Sequence, residues 1–179
     1  MKSFRVLQKE FFERSAVLVA PDLLGKFLVR RRKGEDGGVR EEARMIVEVE
    51  AYEGFDDRAS HASRGETPRN SVMFGPAGHW YVYLCYGVHE MLNVVTGPAG
   101  HPGAVLIRAV EGAVGPGRLT KALGVSREQN KKPATRKAGL WIEDRGAVIP
   151  KRAILRTPRI GVSYAGHKWA GKKWRFVLR

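Results

Sequence analysis

The sequence predicts an α+β fold, in which a mixed, largely antiparallel β-sheet and a few short helices form one compact domain over residues 1–179. Three observations favour this class. Segments with strand-like patterns outnumber helical ones, the connections between them are short, and neither an internal repeat nor a Ser/Pro/Gly-rich linker divides the chain. A chain of 179 residues with 43% hydrophobic residues can also bury one core of ordinary size.

The clearest predicted strand runs from Met45 to Tyr52. A period of two puts four residues on each face: Met45, Val47, Val49 and Ala51 on one, and Ile46, Glu48, Glu50 and Tyr52 on the other. We expect the first face to pack against the core. The second face then carries two carboxylates beside an aromatic ring.

Similar patterns predict the other strands. They are expected at Lys26 to Arg32 and Val105 to Val110, and around Trp141 to Ile142, Ile160 to Val162 and Arg175 to Leu178. Trp80 to Tyr86 and a return strand from about Glu90 to Val95 predict a protruding β-hairpin, with Tyr86 to His89 at its tip.

Proline and glycine residues locate the helices and loops. Pro21 suits the first turn of a short helix that ends near Gly25, and Gly115 to Gly117 form a turn that opens a second helix. The turn fits either a phosphate seat or a plain helix entry. The long, glycine-rich segment from Glu53 to His79 is expected to be functional, and the basic segment from Arg127 to Lys137 is expected to be a mobile loop.

The charge balance narrows the classes of partner. The chain has 32 basic and 18 acidic residues, a net charge of +14, which favours a polyanion and nucleic acid first of all. The single cysteine, Cys85, excludes an intramolecular disulfide, and we expect it to be buried. The five histidines lack metal-ligand spacing, so we expect neither metal nor cofactor. Short apolar stretches predict no membrane span and no export signal, hence a cytoplasmic protein.

Four residues could carry chemistry on this reasoning. Glu48 and Glu50 fit a solvent-facing pair that offsets local positive charge, but an acidic residue beside Tyr52 is also what a pocket that excises a nucleobase needs. Arg108 is a lone arginine on the same face of its strand as Leu106. An unpaired buried guanidinium is costly, so we expect a carboxylate or a phosphate beside it, from Glu50 or from DNA.

The aromatic residues of the hairpin divide into two groups. We expect Trp80, Tyr81 and Val82 to lie in the core, as most residues of aromatic-rich strands do. Tyr86 stands just before Gly87 at the predicted tip, where a large ring has little protein to pack against. This position favours a wedge that enters something outside the protein.

Several segments together resemble the alkyladenine DNA glycosylase family, also called the methylpurine or 3-methyladenine DNA glycosylases. They are Val47 to Tyr52, Ser60–His61, Thr67 to Asn70 with Met73–Phe74, Tyr81 to Tyr83, Tyr86–Gly87, Asn93, Val105 to Ala109, Gly115 to Leu119 with Ala122–Leu123, and Arg159 to Val162. They follow the family's order over most of the chain. Each piece is short, but their joint occurrence is highly specific.

The resemblance implies a role for each matching residue. Glu50 matches the general base that deprotonates the attacking water, Arg108 the arginine beside that water and the phosphate of the flipped nucleotide, and Val162 a backbone contact to the same water. The other matches form the pocket and the wedge. Tyr52, His61 and Tyr83 enclose the flipped base, Asn93 disfavours the amino group of normal guanine, and Tyr86 enters the minor groove.

The implied activity is base excision repair of double-stranded DNA by a monofunctional purine glycosylase. It would hydrolyse the N-glycosidic bond of alkylated or deaminated purines (3-methyladenine, 7-methylguanine, hypoxanthine, ethenoadenine) and leave an abasic site, with no lyase step and no cofactor. A monomer is expected, in the cytoplasm and associated with the nucleoid in a prokaryote, or in the nucleus in a eukaryote.

Two alternative interpretations compete with this one. Val114 to Gly117 with Thr120 and Ala122 fits the hairpin of a helix-hairpin-helix glycosylase with Asp144 as the catalytic acid, which requires a largely helical protein. A noncatalytic nucleic-acid-binding module explains the charge and Tyr86. It leaves unexplained why Glu50, a carboxylate, would face a polyanion.

Overall fold

Ten β-strands form one sheet in the computed structural model, which describes residues 4–34 and 36–179. The strands are β1 (Arg5–Val6), β2 (Phe27–Lys33), β3 (Val39–Glu53), β4 (Trp80–Cys85), β5 (His89–Val95), β6 (Gly103–Val110), β7 (Ala113–Val114), β8 (Leu140–Asp144), β9 (Ile154–Thr157) and β10 (Arg175–Leu178). The helices are α1 (Lys9–Phe12), α2 (Ala16–Leu23), α3 (Pro116–Leu123) and α4 (His167–Ala170), with 3-10 helices at His61–Arg64, Ser71–Phe74, Arg127–Gln129, Lys151–Ala153 and Ser163–Ala165.

The sheet follows the order β1-β8-β2-β3-β6-β5-β4, with β7 beside β6 and the β9–β10 pair attached to β3. Every strand pair within the described residues is antiparallel. The predicted α+β class with a largely antiparallel sheet is therefore confirmed. The long strand β3 organises the sheet, because it pairs first with β2 and then with β6 and β10.

The pairing of β3 with β6 is irregular around Val47. Ile46 pairs with Val110, Glu48 with Ala109 and Val49 with Ile107, so neither Val47 nor Arg108 has a partner across the two strands. Such bulges turn side chains to the other face. Ile46 consequently joins Val49 and Ala51 in the core, and the prediction that it shares a face with the carboxylates is wrong.

The two faces of the sheet have different roles. One face packs against α2 and α3 in the main hydrophobic core, which includes Trp80, Val82, Val105 and Ile107. The other face carries the alternate residues of the same strands, among them Tyr81 and Ala104 in a smaller apolar cluster. Glu50 and Arg108 contact each other on that second face. Tyr81 is thus buried as predicted, but away from the main core.

Three other predicted elements differ from the structure. Residues 160–162 form a turn with Gly161 at φ 74°, and the strand in this region is β9 instead. Pro21 lies in the second half of α2 because the helix begins at Ala16. The segment 127–137 is hydrogen-bonded along β4, through Trp80 N to Lys132 O (2.9 Å) and Lys131 N to Trp80 O (2.8 Å). The prediction of a mobile loop overlooked these edge contacts.

Gly103, at the start of β6, gives a test of this packing. An added Cβ would lie 2.9 Å from the backbone and hydroxyl oxygens of Thr96, while Thr96 N donates to Gly103 O at 2.9 Å and holds the two segments together. We predict that Gly103→Ala lowers the free energy of unfolding in urea by about 1–3 kcal/mol. Gly38→Ala is the control, with a change within about 0.5 kcal/mol, because only the exposed Asp36 side chain lies near. Equal stability of both variants would contradict the packing.

Candidate active site

A cavity of about 520 Å³ opens on the second face of the sheet. Its size is typical of a site for a small molecule or a nucleobase. Among the residues predicted from sequence, Tyr52, His61, Tyr83, Tyr86, Asn93, Arg108 and Val162 line it. Glu50 lies behind this wall with no solvent exposure, in contact with residues that do line it.

The Glu50 carboxylate is held by three donors. The Ile160 amide donates to Oε1 at 2.7 Å, the Tyr52 hydroxyl donates to Oε2 at 3.0 Å, and Arg108 Nη1 donates to Oε2 at 3.4 Å. Burial raises the pKa of the Glu50 carboxyl, and the Arg108 charge and the Ile160 hydrogen bond oppose that rise. One acceptor position of Oε1 is not used by any of these donors.

Glu48 is a second buried carboxylate, 7% exposed. Its Oε1 accepts hydrogen bonds from Arg108 Nε at 3.0 Å and from Arg175 Nε at 2.7 Å, and Arg175 also donates to the Thr157 hydroxyl at 3.1 Å. The interpretation of Glu48 and Glu50 as a solvent-facing pair is therefore wrong. The bulge brings Arg108, and the attached strand β10 brings Arg175, beside the Glu48 carboxylate that an isolated strand would have left open.

Arg108 connects the two carboxylates. Its Nε donates to Glu48 and its Nη1 donates to Glu50, while its side chain keeps 14% exposure in the cavity wall. The expectation of a carboxylate partner is thus met within the protein. The exposed part of the guanidinium remains accessible to a ligand.

Several aromatic rings line the cavity. Tyr52 and Tyr83 both line it, and the His61 ring lies edge-on to Tyr83 with centroids 4.7 Å apart. His61 Nδ1 is 3.0 Å from the Tyr81 hydroxyl. Partial burial of the ring and the nearby Arg69 charge lower the pKa of His61, which favours the neutral ring, and burial raises the pKa of Tyr81 to about 12.

Asn93 and Val162 occupy fixed positions in the same wall. Asn93 Nδ2 donates to the carbonyl oxygens of Tyr81 (3.1 Å) and Met91 (3.3 Å), which orients its amide. The Val162 carbonyl accepts a hydrogen bond from Ala165 N at 3.0 Å, and the residue is 4% exposed.

Tyr86 stands at the tip of the β4–β5 hairpin with 93% of its surface exposed. Its φ of 50° lies in the left-handed region, which costs an L-residue roughly 1–2 kcal/mol. An exposed aromatic ring at such a position contributes little to folding. Cys85, predicted to be buried, is half-buried at the base of this tip and lines the cavity.

Sequence reasoning missed two residues that support the cavity wall. Arg69 Cζ lies 5.1 Å above the Tyr83 ring, and Arg69 donates to Leu84 O at 3.2 Å. The buried Asn70 donates from Nδ2 to His61 O at 2.9 Å and thereby holds the histidine segment. The only feature of the sequence that could have indicated their role is their place in a Thr-Pro-Arg-Asn segment within the long, glycine-rich loop.

The buried pair Asp57–Arg159 was also missed. Arg159 Nη1 and Nη2 donate to Asp57 Oδ2 and Oδ1 at 2.6 and 2.8 Å, and neither side chain has any exposure. Because 102 residues separate the two in the chain, no local pattern could have identified the pair.

The helix-hairpin-helix interpretation is wrong. The Gly115 turn follows the strand β7 instead of a helix, and Asp144 pairs with Lys26 at 2.8 Å, outside the residues that line the cavity. The predicted helix α3 begins at Pro116, which lies on the cavity rim. Across residues 4–34 and 36–179, no cluster of three or more metal-ligating side chains is found, and no helix is long and apolar enough to span a membrane.

Comparisons with known proteins identify the family. The family model described as methylpurine-DNA glycosylase (MPG) matches residues 10–114 and 111–179. Three relatives bear the name "Putative 3-methyladenine DNA glycosylase". A protein of Anaeromyxobacter dehalogenans (strain 2CP-C) is 51% identical over 97% of this chain and 83% of its own length. A protein of Myxococcus xanthus (strain DK1622) is 47% identical over 97% of this chain and 90% of its own length. A protein of Legionella pneumophila (strain Lens) is 43% identical over 98% of this chain and 95% of its own length. The chain therefore belongs to the methylpurine-DNA glycosylase family, whose members are DNA repair enzymes.

Proposed function

We propose that this glycosylase flips an alkylated or deaminated purine out of duplex DNA and hydrolyses its bond to the sugar with a water activated by Glu50. The observation that carries the proposal is a fully buried carboxylate directly behind a cavity walled by Tyr52 and Tyr83. A carboxylate in that place repels the DNA backbone, so it requires a catalytic reason.

The chemistry follows from the positions of these groups. Water attacks C1′ of the sugar, the C1′–N bond breaks with its electron pair leaving on the base, and Glu50 accepts the proton of the water. The sugar carries positive charge as the base departs, and the ionised carboxylate stabilises it. The unused acceptor position of Oε1 suits the water, and the exposed part of Arg108 suits the phosphate of the flipped nucleotide.

The cavity also supports a single hydrolytic step. A lyase reaction needs an amine that attacks C1′, and no lysine is among the described residues that line the cavity. We therefore propose a monofunctional enzyme that acts as a monomer and leaves an abasic site, without a cofactor. In a prokaryotic cell, the enzyme would act in the cytoplasm, in association with the nucleoid.

The lesion class follows from the wall chemistry. Two tyrosine rings suit electron-poor, alkylated purines. The amide of Asn93 is held in one orientation, and the family resemblance implies that it disfavours the exocyclic amino group of normal guanine. We propose 3-methyladenine, 7-methylguanine, hypoxanthine and ethenoadenine as substrates.

Glu50→Gln tests the assignment of the base. The amide keeps the shape but cannot take the proton, so we predict a loss of at least about 100-fold in single-turnover excision of hypoxanthine from a duplex, with lesion binding retained. In the wild type, the rate should fall as the pH falls through the raised pKa of Glu50, because only the ionised form acts as a base. This acidic limb should disappear in the variant.

Substitutions of two other carboxylates serve as comparisons for Glu50→Gln. Glu48→Gln should slow excision by about tenfold, because Arg108 loses a charged hydrogen-bond partner. Glu41 also lies on β3, and Glu41→Gln, which breaks an exposed pair with Arg31 of β2, should have no effect. Normal excision by Glu50→Gln would refute the assignment.

Tyr86→Ala tests the wedge. A ring inserted between base pairs offsets the stacking lost when a nucleotide leaves the helix, which costs a few kcal/mol. We predict that Tyr86→Ala lowers both the extrusion of a fluorescent base analogue and the single-turnover rate, and that the defect shrinks opposite a mismatch or a gap. Tyr86→Phe should retain most function. Normal extrusion with a slow cleavage step would place Tyr86 in the chemistry instead.

A further inference from the structure

The Asp57–Arg159 pair lies near Glu50, the proposed general base. Neither residue of the pair lines the cavity. Its bidentate geometry is tight and fully buried, yet Arg159 Nε is a buried donor without a partner among the described residues. Buried ion pairs are weak evidence for stability, because the cost of removing two charges from water offsets their attraction. A buried pair that also leaves a donor unsatisfied suggests a role other than stability.

Each member of the pair is fixed to one side of the site. The Asp57 carboxylate accepts the amides of Glu53 (3.2 Å) and Ala59 (3.1 Å), so it shapes the turn that leaves β3 and leads to the cavity wall. Arg159 donates to Ala51 O at 2.8 Å and lies 4.8 Å from the Tyr52 ring centroid. The pair thus joins the end of β3 to a distant segment of the chain.

That distant segment carries a donor to Glu50. Ile160 follows Arg159 directly, and its amide donates to Glu50 Oε1 at 2.7 Å. The segment is a turn outside any strand, with Gly161 at φ 74°, so no sheet hydrogen bonds hold it. Its anchors are the contacts of Arg159 with Asp57, Ala51 O and Trp169 O.

We propose that Asp57 and Arg159 are positioning residues for the excision reaction: their buried ion pair keeps the Ile160 amide on Glu50 and the Tyr52 ring in the cavity wall. This inference rests on the proposed role of Glu50 as the base. Burial raises the pKa of the Glu50 carboxyl, and the Ile160 hydrogen bond and the Arg159 charge both oppose that rise. Loosening the pair therefore leaves less of the carboxylate ionised near neutral pH.

The test is Asp57→Asn, which preserves shape and removes the charge. Single-turnover excision of hypoxanthine from a duplex is measured from pH 5 to 9, together with lesion binding and urea unfolding. We expect at least a tenfold lower rate at pH 7 and binding within threefold of wild type. The acidic limb should move upward by about one pH unit, because losing the Ile160 hydrogen bond affects the pKa of Glu50 more than the Arg159 charge that Asp57 no longer balances. Arg159→Lys keeps the positive charge but cannot make both hydrogen bonds to Asp57, so its acidic limb should also move upward. This variant replaces Asp57→Asn in the test if Asp57→Asn does not fold.

Two controls separate the outcomes. Asp22→Asn breaks an exposed Arg14–Asp22 pair of 2.8 Å and should change nothing. Combining Asp57→Asn with Glu50→Gln should add no further loss in rate, because the pair acts through Glu50. An unshifted acidic limb, or additive losses, would overturn the inference. Inactive Glu50→Gln beside normal Asp57→Asn refutes the positioning role alone, whereas active Glu50→Gln refutes the proposed base itself.

Discussion

Burying the Glu50 carboxylate costs free energy that only well-placed donors offset, and these donors come from separate parts of the chain. Tyr52 follows Glu50 on β3, Arg108 arrives on β6, and Ile160 belongs to a turn that the Asp57–Arg159 pair anchors. The fold therefore has to place two distant segments, β6 and the turn at Ile160, within hydrogen-bond distance of one side chain on β3. The bulge between β3 and β6 and the turn at Ile160 both lie beside Glu50, where these donors meet.

The paired irregularity of β3 and β6 shows how the backbone achieves this. Neither Val47 nor Arg108 has a partner across the two strands, and Arg108 lies with its guanidinium between Glu48 and Glu50. Ile46 moves into the core at the same step. A regular ladder would pair Arg108 across β3, whereas the bulge gives it both carboxylates as partners.

Some of the site residues could be located from patterns within one short segment of the sequence. The alternation on β3 located Glu50 and Tyr52, and the turn residues of the hairpin located Tyr86. The positions of the cavity residues agree with the family resemblance, while their roles remain proposals. Burial of Glu48, the Ile160 amide and the Asp57–Arg159 pair depends on contacts between residues about 100 or more apart. Such contacts leave no periodic trace in one sequence. The strand predicted at residues 160–162 failed for the same reason, because the Ile160 amide donates to Glu50 instead of to a neighbouring strand.

In the proposed complex, the cavity receives a flipped purine, Glu50 lies behind it and Tyr86 enters the duplex. A crystal structure of Glu50→Gln bound to a duplex containing hypoxanthine tests this most directly. We expect the base between the Tyr52 and Tyr83 rings, a water between position 50 and C1′, and the Tyr86 ring in the vacated space. A base that remains stacked in the helix, or that lies outside the cavity while Tyr86 stays in solvent, would contradict it.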